Sequence, residues 1–333
     1  MNRFWKLEAY PQGAGFAGAI KLHTEQMPEP GENQLLVRNL WLSLDAGTRM
    51  WLTPRTDSYM APTPLGSKIT GFILGEVVRS RHTGYKPGDI VRAYGQWADY
   101  SLLNPDAGDI WTVDTLPDMR QHFAVLGPNG WTAYVGLTEY GRARPGETVL
   151  VSAAAGATGM LAAQFARVMG CRVIGIAGGP EKCAHLLTRY NLDGAIDYKS
   201  EDMGQRLSEL APEGIDCFFD CVGGETLDTV LAAMAMNGRV AICGSISTYD
   251  RPERIGPHNF DLILMKRLNV AGFFSPDFYR RGNEINRLTR RWLDDGLVGM
   301  EFDVTRGLEN TLTAYGKLFS GGNIGKVMVD LSA

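Results

Sequence analysis

A run of small residues, Ser152-Ala153-Ala154-Ala155-Gly156-Ala157-Thr158-Gly159, carries the clearest chemistry in this chain. It joins an apolar, strand-like stretch, Thr148 to Ser152, to an amphipathic one, Met160 to Met169. In the second stretch Leu161, Phe165 and Val168 recur at i, i+4 and i+7, the spacing of one helix face. A glycine-rich turn between strand and helix is the form of a dinucleotide-binding fingerprint, G-x-G-x-x-G, whose positions fall here on Ala154, Gly156 and Gly159. At Gly156 a bare backbone can approach a pyrophosphate, and at Gly159 the helix can pack close to its strand. Phosphates would sit at the helix start beside Thr158, where free N–H groups and the helix dipole favour negative charge. A plain βα turn of small residues looks the same in isolation. The strand at Arg172 to Ala177 and the helix at Glu181 to Tyr190 set this one in a βαβ unit.

The end of the second strand selects the nucleotide. NAD sites place Asp or Glu there, about 20 residues on, against the ribose 2′-OH. Here Ala177-Gly178-Gly179-Pro180 is followed by Lys182. A cation in place of a carboxylate suits a 2′-phosphate, so NADPH is the expected cofactor. The alternative is that Lys182 is a solvated residue of the helix's first turn.

No metal set is expected. Catalytic zinc needs three protein ligands and an open position, and structural zinc needs four closely spaced ligands. No cysteine precedes Cys171, and no two of His23, His82, His122, His185 and His258 are spaced as a ligand pair. Hydride addition to an already polarised alkene asks less of a protein than alcohol oxidation does. The developing enolate oxygen needs only hydrogen-bond donors.

Composition bounds the rest. The chain has 333 residues, enough for two domains, with 44% hydrophobic and 21% charged residues. The net charge of −4 offers no basic field for nucleic acid or an anionic membrane. No segment reaches the run of about 18 apolar residues that a membrane span needs. The start, Met1-Asn2-Arg3-Phe4-Trp5-Lys6, runs into Glu8 and Pro11 without an apolar signal core, so a cytoplasmic location is expected. Glycine is abundant at 40 residues, against an ordinary share of about 7%, which implies many close backbone approaches. The five cysteines (Cys171, Cys183, Cys217, Cys221, Cys243) are odd in number and all lie in the second half, so no disulfide scaffold is expected.

The first 125 residues or so read as short strands and turns, among them Leu35 to Arg38, Gly75 to Val78 and Ile90 to Ala93, which suggests a partly closed barrel. A helical stretch begins at Gly130, and strands then alternate with helices, as in a doubly wound parallel sheet. Further strands are expected at Cys217 to Asp220 and Arg239 to Cys243, a charged helix at Asn283 to Asp295, and a closing strand at Gly325 to Val329.

Several stretches together resemble the zinc-independent medium-chain reductases of the leukotriene/prostaglandin reductase group. They are Ser43-Leu44-Asp45 with Arg49, Ala61 to Gly66, Gly130 to Tyr134, Val151 to Gly159, Phe219 to Glu225, Ala241 to Tyr249 and Gly322 to Lys326. The resemblance implies an α/β fold. A GroES-like catalytic domain (1–125 and 275–333) flanks a Rossmann domain (126–274), and the enzyme works as a homodimer. It implies NADPH bound by the glycine turn and Gly178, with Lys182 and Tyr198 at the 2′-phosphate. Cys243, Gly244 and Ser245 would pass beside the cofactor, and Phe273 and Asn323 would lie near the nicotinamide. The family commonly has Asn where this chain has Cys221, a departure at a cofactor contact. It often has a smaller apolar residue where this chain has Trp131, which would reshape the substrate pocket.

The resemblance also implies the reaction: NADPH-dependent reduction of the C=C bond of an α,β-unsaturated ketone or aldehyde, with hydride to the β-carbon and a proton to the α-carbon. Tyr249 is the first candidate for proton donor or carbonyl clamp, and Tyr59 the second. Trp51, Tyr59, Trp131, Tyr249 and Phe274 are the expected pocket lining. The ribose 2′-OH with a solvent proton is the alternative to either tyrosine. A quinone reductase and a non-catalytic NADPH-binding protein are the competing functions. A small enone or enal is the expected partner, with neither nucleic acid nor membrane.

Overall fold

The computed structural model describes every residue except 14, 57, 59, 107, 109, 250–255 and 333. The chain divides into two compact units, Met1–His122 with Phe302–Ala333, and Phe123–Glu301.

The first unit is built from antiparallel strands that bury one face. β1 (Asn2–Leu7) pairs with β2 (Ile20–Glu25). β3 (Leu35–Ser43) leads into a short helix, α1 (Thr48–Trp51), then into β4 (Thr70–Ser80), β5 (Ile90–Gln96), β6 (Tyr100–Leu103) and β7 (Ile110–Thr112). β3, β4, β5 and β7 are successive neighbours, and β6 pairs with the first half of β3. Gly75 sits in β4 where a Cβ would lie 2.5 Å from the Arg38 carbonyl oxygen, so a side chain there would push the paired strands apart.

The second unit opens with α2 (Pro128–Val135) and continues as β8 (Thr148–Val151), α3 (Ala157–Val168), β9 (Arg172–Ala177), α4 (Pro180–Arg189) and β10 (Gly194–Asp197). It goes on through α5 (Met203–Leu210), β11 (Ile215–Asp220), α6 (Gly224–Ala233), β12 (Met234–Ile242), α7 (Asp261–Met265), β13 (Asn269–Gly272) and α8 (Gly282–Asp294). Its six strands are parallel, in the order β10-β9-β8-β11-β12-β13, which is the Rossmann order. β8 to β11 are buried almost throughout, as expected when helices cover both faces.

The segment 275–301, which the sequence reading joins to the first unit, packs in the second. Trp131 of α2 explains why. Its indole is fully buried and donates a 2.7 Å hydrogen bond to Asn286 Oδ1 on α8. A Cβ on Gly282 would lie 2.4 Å from the same ring, so glycine lets α8 begin against it. Further along α8, Trp292 meets Phe165 of α3 at 5.1 Å between ring centroids. Beyond the helix, Gln164 and the Gly299 backbone exchange two hydrogen bonds. Trp131 is therefore packed in the core of the second unit.

The chain then returns to the first unit through β14 (Phe302–Arg306), α9 (Thr311–Ser320) and β15 (Lys326–Asp330). β15 pairs parallel to β14 and antiparallel to β3, giving the order β14-β15-β3-β4-β5-β7. Among the described residues this sheet does not close on itself. Lys326 is 1% exposed and sits 2.7 Å from Asp45, which also accepts from the Ser43 hydroxyl. That half-buried ion pair ties β15 to the loop after β3. Arg49, equally buried, donates to the Pro11 and Gly13 carbonyls and lies over the Phe16 ring.

Trp131→Ala removes a fully buried indole and leaves Asn286 Oδ1 without its donor. It should destabilise the second unit by about 3–5 kcal/mol. Urea unfolding followed by fluorescence measures this; an unchanged midpoint would contradict the core assignment.

Candidate functional site

The glycine turn leaves β8 at Ser152, which is fully buried and bonded through its N–H to the Phe219 carbonyl at 3.1 Å. Ala153 adopts a left-handed φ of 48°. Ala154 is buried, and its N–H donates to Ile176 on the neighbouring strand at 2.9 Å. A Cβ on Gly159 would stand 2.3 Å from the Ala153 carbonyl oxygen, so only glycine lets α3 start this close to the turn. Gly156 is the N-cap of α3, with no side-chain cap and no acidic residue in the first turn. The free N–H groups of that turn are left to an external acceptor. The Thr158 hydroxyl accepts from Asn129 Nδ2 at 2.9 Å and keeps its own proton to donate. Asn129 Oδ1 is buried without a partner among the described residues. These groups fit a dinucleotide pyrophosphate.

At the end of β9, a Cβ on Gly178 would lie 2.9 Å from both Tyr198 and Lys199, so these side chains cover the glycine. Tyr198 is 52% exposed. Lys182 is half-buried, and burial together with the nearby Lys199 ammonium lowers its pKa. Two ammonium groups that repel one another form a receptor for a dianion. The nearest strand-end carboxylate, Asp197 on β10, is already occupied: it accepts from Gly179 N at 2.7 Å, Lys199 N at 3.0 Å and Ser200 Oγ at 2.7 Å. The Ser200 hydroxyl and the Gly179 N–H hold that carboxyl below its usual pKa. It stays ionised and turned to the backbone. The residues present fit a 2′-phosphate better than a free ribose hydroxyl.

The third side of the site is the paired ends of β11 and β12. Asp220 is fully buried and accepts from Ser152 Oγ at 2.8 Å, Val222 N at 2.9 Å and Gly223 N at 3.1 Å. Burial still raises its pKa against these bonds. Ser152 Oγ in turn accepts from Cys221 N at 2.8 Å. Across the strand pair, Cys243 N and Gly244 N both donate to the Asp220 carbonyl. Gly244 faces the Tyr249 hydroxyl, where a Cβ would be 3.0 Å away. That hydroxyl accepts from Ser245 N at 3.1 Å. Burial pushes the phenol up to about 12, so it stays protonated and retains an O–H to donate.

The structure therefore brings together Ala154, Gly156, Thr158 and Gly159 on one turn. It groups Gly178, Lys182 and Tyr198 at the next, and Cys221, Cys243, Gly244, Ser245 and Tyr249 at a third. The other expected residues stand on other elements of the two units. The Phe273 side chain is buried in an aromatic cluster, stacked on Tyr140 at 4.8 Å, and its N–H is bonded to Ile242. Asn323 belongs to the first unit, where its amide donates to Gly325 O at 2.9 Å. Trp51 is buried in the first unit, on α1. Phe274 is 45% exposed on the second unit. Tyr59 lies outside the described residues. Ser152, Asp220, Asn129 and Lys199 are the functional groups that reading the sequence misses. The first two stand in motifs visible in the chain but 68 residues apart, and only the β8–β11 pairing joins them. Among the described residues no group of three His, Cys, Asp or Glu side chains is placed to hold a metal ion.

Comparison with known proteins agrees with this geometry. Residues 3–111 match the family described as the N-terminal domain of oxidoreductase, and residues 157–290 the one described as zinc-binding dehydrogenase. The NADPH-dependent curcumin reductase of Escherichia coli is 34% identical over 98% of this chain and 96% of its own. The 2-alkenal reductase (NADP(+)-dependent) of Nicotiana tabacum is 38% identical over 92% of this chain and 90% of its own. The crystal structure of CurA in complex with NADPH from Vibrio vulnificus superposes with a TM-score of 0.92 at 32% identity, covering 98% of both chains.

Proposed function

Since this chain belongs to the zinc-independent medium-chain reductases of the leukotriene/prostaglandin reductase group, we propose that it reduces the C=C bond of α,β-unsaturated ketones or aldehydes with NADPH. The observation that carries the cofactor half is the uncapped start of α3 followed by a lysine pair where a carboxylate would select NAD. The reaction half is supported by relatives named for 2-alkenal and curcumin reduction.

When bound, NADPH supplies the hydride. The protein binds and orients. Gly156, Gly159 and the Thr158 hydroxyl receive the pyrophosphate at the start of α3, while Lys182, Lys199 and Tyr198 hold the 2′-phosphate. Gly244 and Ser245 place the Tyr249 phenol, whose oxygen is held by the Ser245 N–H. Its O–H donates to the substrate carbonyl, stabilises the enolate as negative charge develops on oxygen, and supplies a proton.

The reading includes a homodimer. Among the described residues β13 is the outer strand of the Rossmann sheet and pairs with β12, and Phe260, Leu264 and Met265 at the preceding helix α7 are exposed. An open strand edge with exposed apolar side chains on the helix that precedes it suits contact with a second copy. The reading also places the enzyme in the cytoplasm, consistent with five free cysteines.

Purified protein should consume NADPH with enones and enals, read at the nicotinamide absorbance; turnover of quinones alone would replace this reading. Lys182→Ala should raise KM for NADPH about tenfold and leave KM for NADH nearly unchanged. Equal changes would remove Lys182 from the phosphate site. Tyr249→Phe should lower kcat about 100-fold, and an unchanged rate would assign the proton to solvent. Because the phenol donates only when protonated and burial raises its pKa to about 12, its contribution should persist through neutral and mildly alkaline pH. Light scattering should give twice the chain mass at micromolar concentration; the single-chain mass would refute the dimer.

A further inference from the structure

β11 and β12 run parallel, with Phe219 opposite Ala241 and Asp220 opposite Ile242. Continued one residue beyond the paired strand ends, that register places Cys221 opposite Cys243, and the Cys243 N–H bonded to the Asp220 carbonyl keeps the two stretches adjacent. Neighbouring strands lie about 4.8 Å apart. That is inside the Cα separation of about 4.4–6.8 Å that a disulfide spans. Both backbones are held: Cys221 N by Ser152 Oγ at 2.8 Å, and Cys243 N by the Asp220 carbonyl at 2.8 Å. The neighbouring Cys243 thiol and burial push the Cys221 thiol well above its usual pKa. Both cysteines are free and only half-buried, whereas Cys171 and Cys217 are buried.

The pair sits at the root of two zipped loops. Ile246 N donates to the Cys221 carbonyl at 3.3 Å, and Ser247 bonds the Val222 carbonyl through both its N–H and its hydroxyl. The same stretch carries Ser245, whose N–H holds the Tyr249 hydroxyl. Drawing the two sulfurs to a covalent separation of about 2.05 Å must shift these loops.

We propose that Cys221 and Cys243 form an oxidant-responsive dithiol, a modification site for small hydroperoxides, whose closure to a disulfide displaces Tyr249 and suppresses turnover. In the first step one thiol attacks the peroxide's outer oxygen. The O–O bond breaks, the alcohol leaves with a proton, and a sulfenic acid forms. The second thiol then attacks that sulfur, an S–S bond forms and water leaves. Overall the two thiols lose two electrons and two protons, and the hydroperoxide is reduced to an alcohol and water. The effect on turnover rests on the role given to Tyr249. The cross-link does not, and the two are read separately.

The test treats the full chain with tert-butyl hydroperoxide, alkylates the remaining thiols and maps the peptides by mass spectrometry. The expected product is a peptide joining Cys221 to Cys243, lighter by two hydrogens than its parts and released by dithiothreitol. Turnover in the same samples should fall about tenfold, as a small misplacement of a catalytic group allows, and return on reduction. Cys221→Asn, compared with its own untreated rate, should not respond. Alkylation of both cysteines after treatment overturns the site, as does a sulfinic acid on either without a link. A link with unchanged turnover, or equal inhibition of the Asn variant, overturns the control of activity.

Discussion

One buried carboxylate organises the cofactor end of the second unit. Asp220 ends β11 with no exposed surface, where an uncompensated charge would be costly. It is tolerated because the Ser152 hydroxyl and two backbone N–H groups of the following turn all point at it. Those bonds couple the end of β8 to the end of β11. They set where the glycine turn begins and how the 221–224 turn folds. The Asp220 carbonyl extends the same arrangement to Cys243 and Gly244, just beyond the end of β12. Three loops that must act together are thus built on one residue.

Close approach does the rest. Gly159 lets α3 touch the turn that precedes it, and a Cβ on Gly223 would lie 2.4 Å from the Ser245 hydroxyl. The 221–224 and 243–249 loops therefore pack backbone to side chain, with no room for larger residues. Such packing makes the Tyr249 position sensitive to anything that moves Cys221 or Cys243. In the first unit a comparable constraint is the Lys326–Asp45 pair. There, two stretches that mark the family turn out to hold a strand against a loop.

Much of this was legible in the chain. The glycine turn, the alternation of strand and helix after residue 125, and the missing carboxylate after Ala177 all survive in the structure, because each is a local consequence of residue type. β10, β13 and β14 were not foreseen, being four or five residues long with mixed polarity. α9 was missed because Thr311, Thr313 and Gly316 weaken a helical pattern that packing nevertheless sustains.

The sequence by itself determined the alternation of strand and helix, the glycine turn between β8 and α3, and a lysine where a carboxylate would follow β9. Periodicity, glycine placement and charge are properties of neighbouring residues. Tertiary structure alone decided what lies far apart along the chain. It put Trp131 in the core against α8, because an amphipathic helix must bury a face but its pattern does not name the partner. It joined Ser152 to Asp220, paired Lys182 with Lys199, and set Cys221 against Cys243. Strand order, invisible to spacing, is the physical reason.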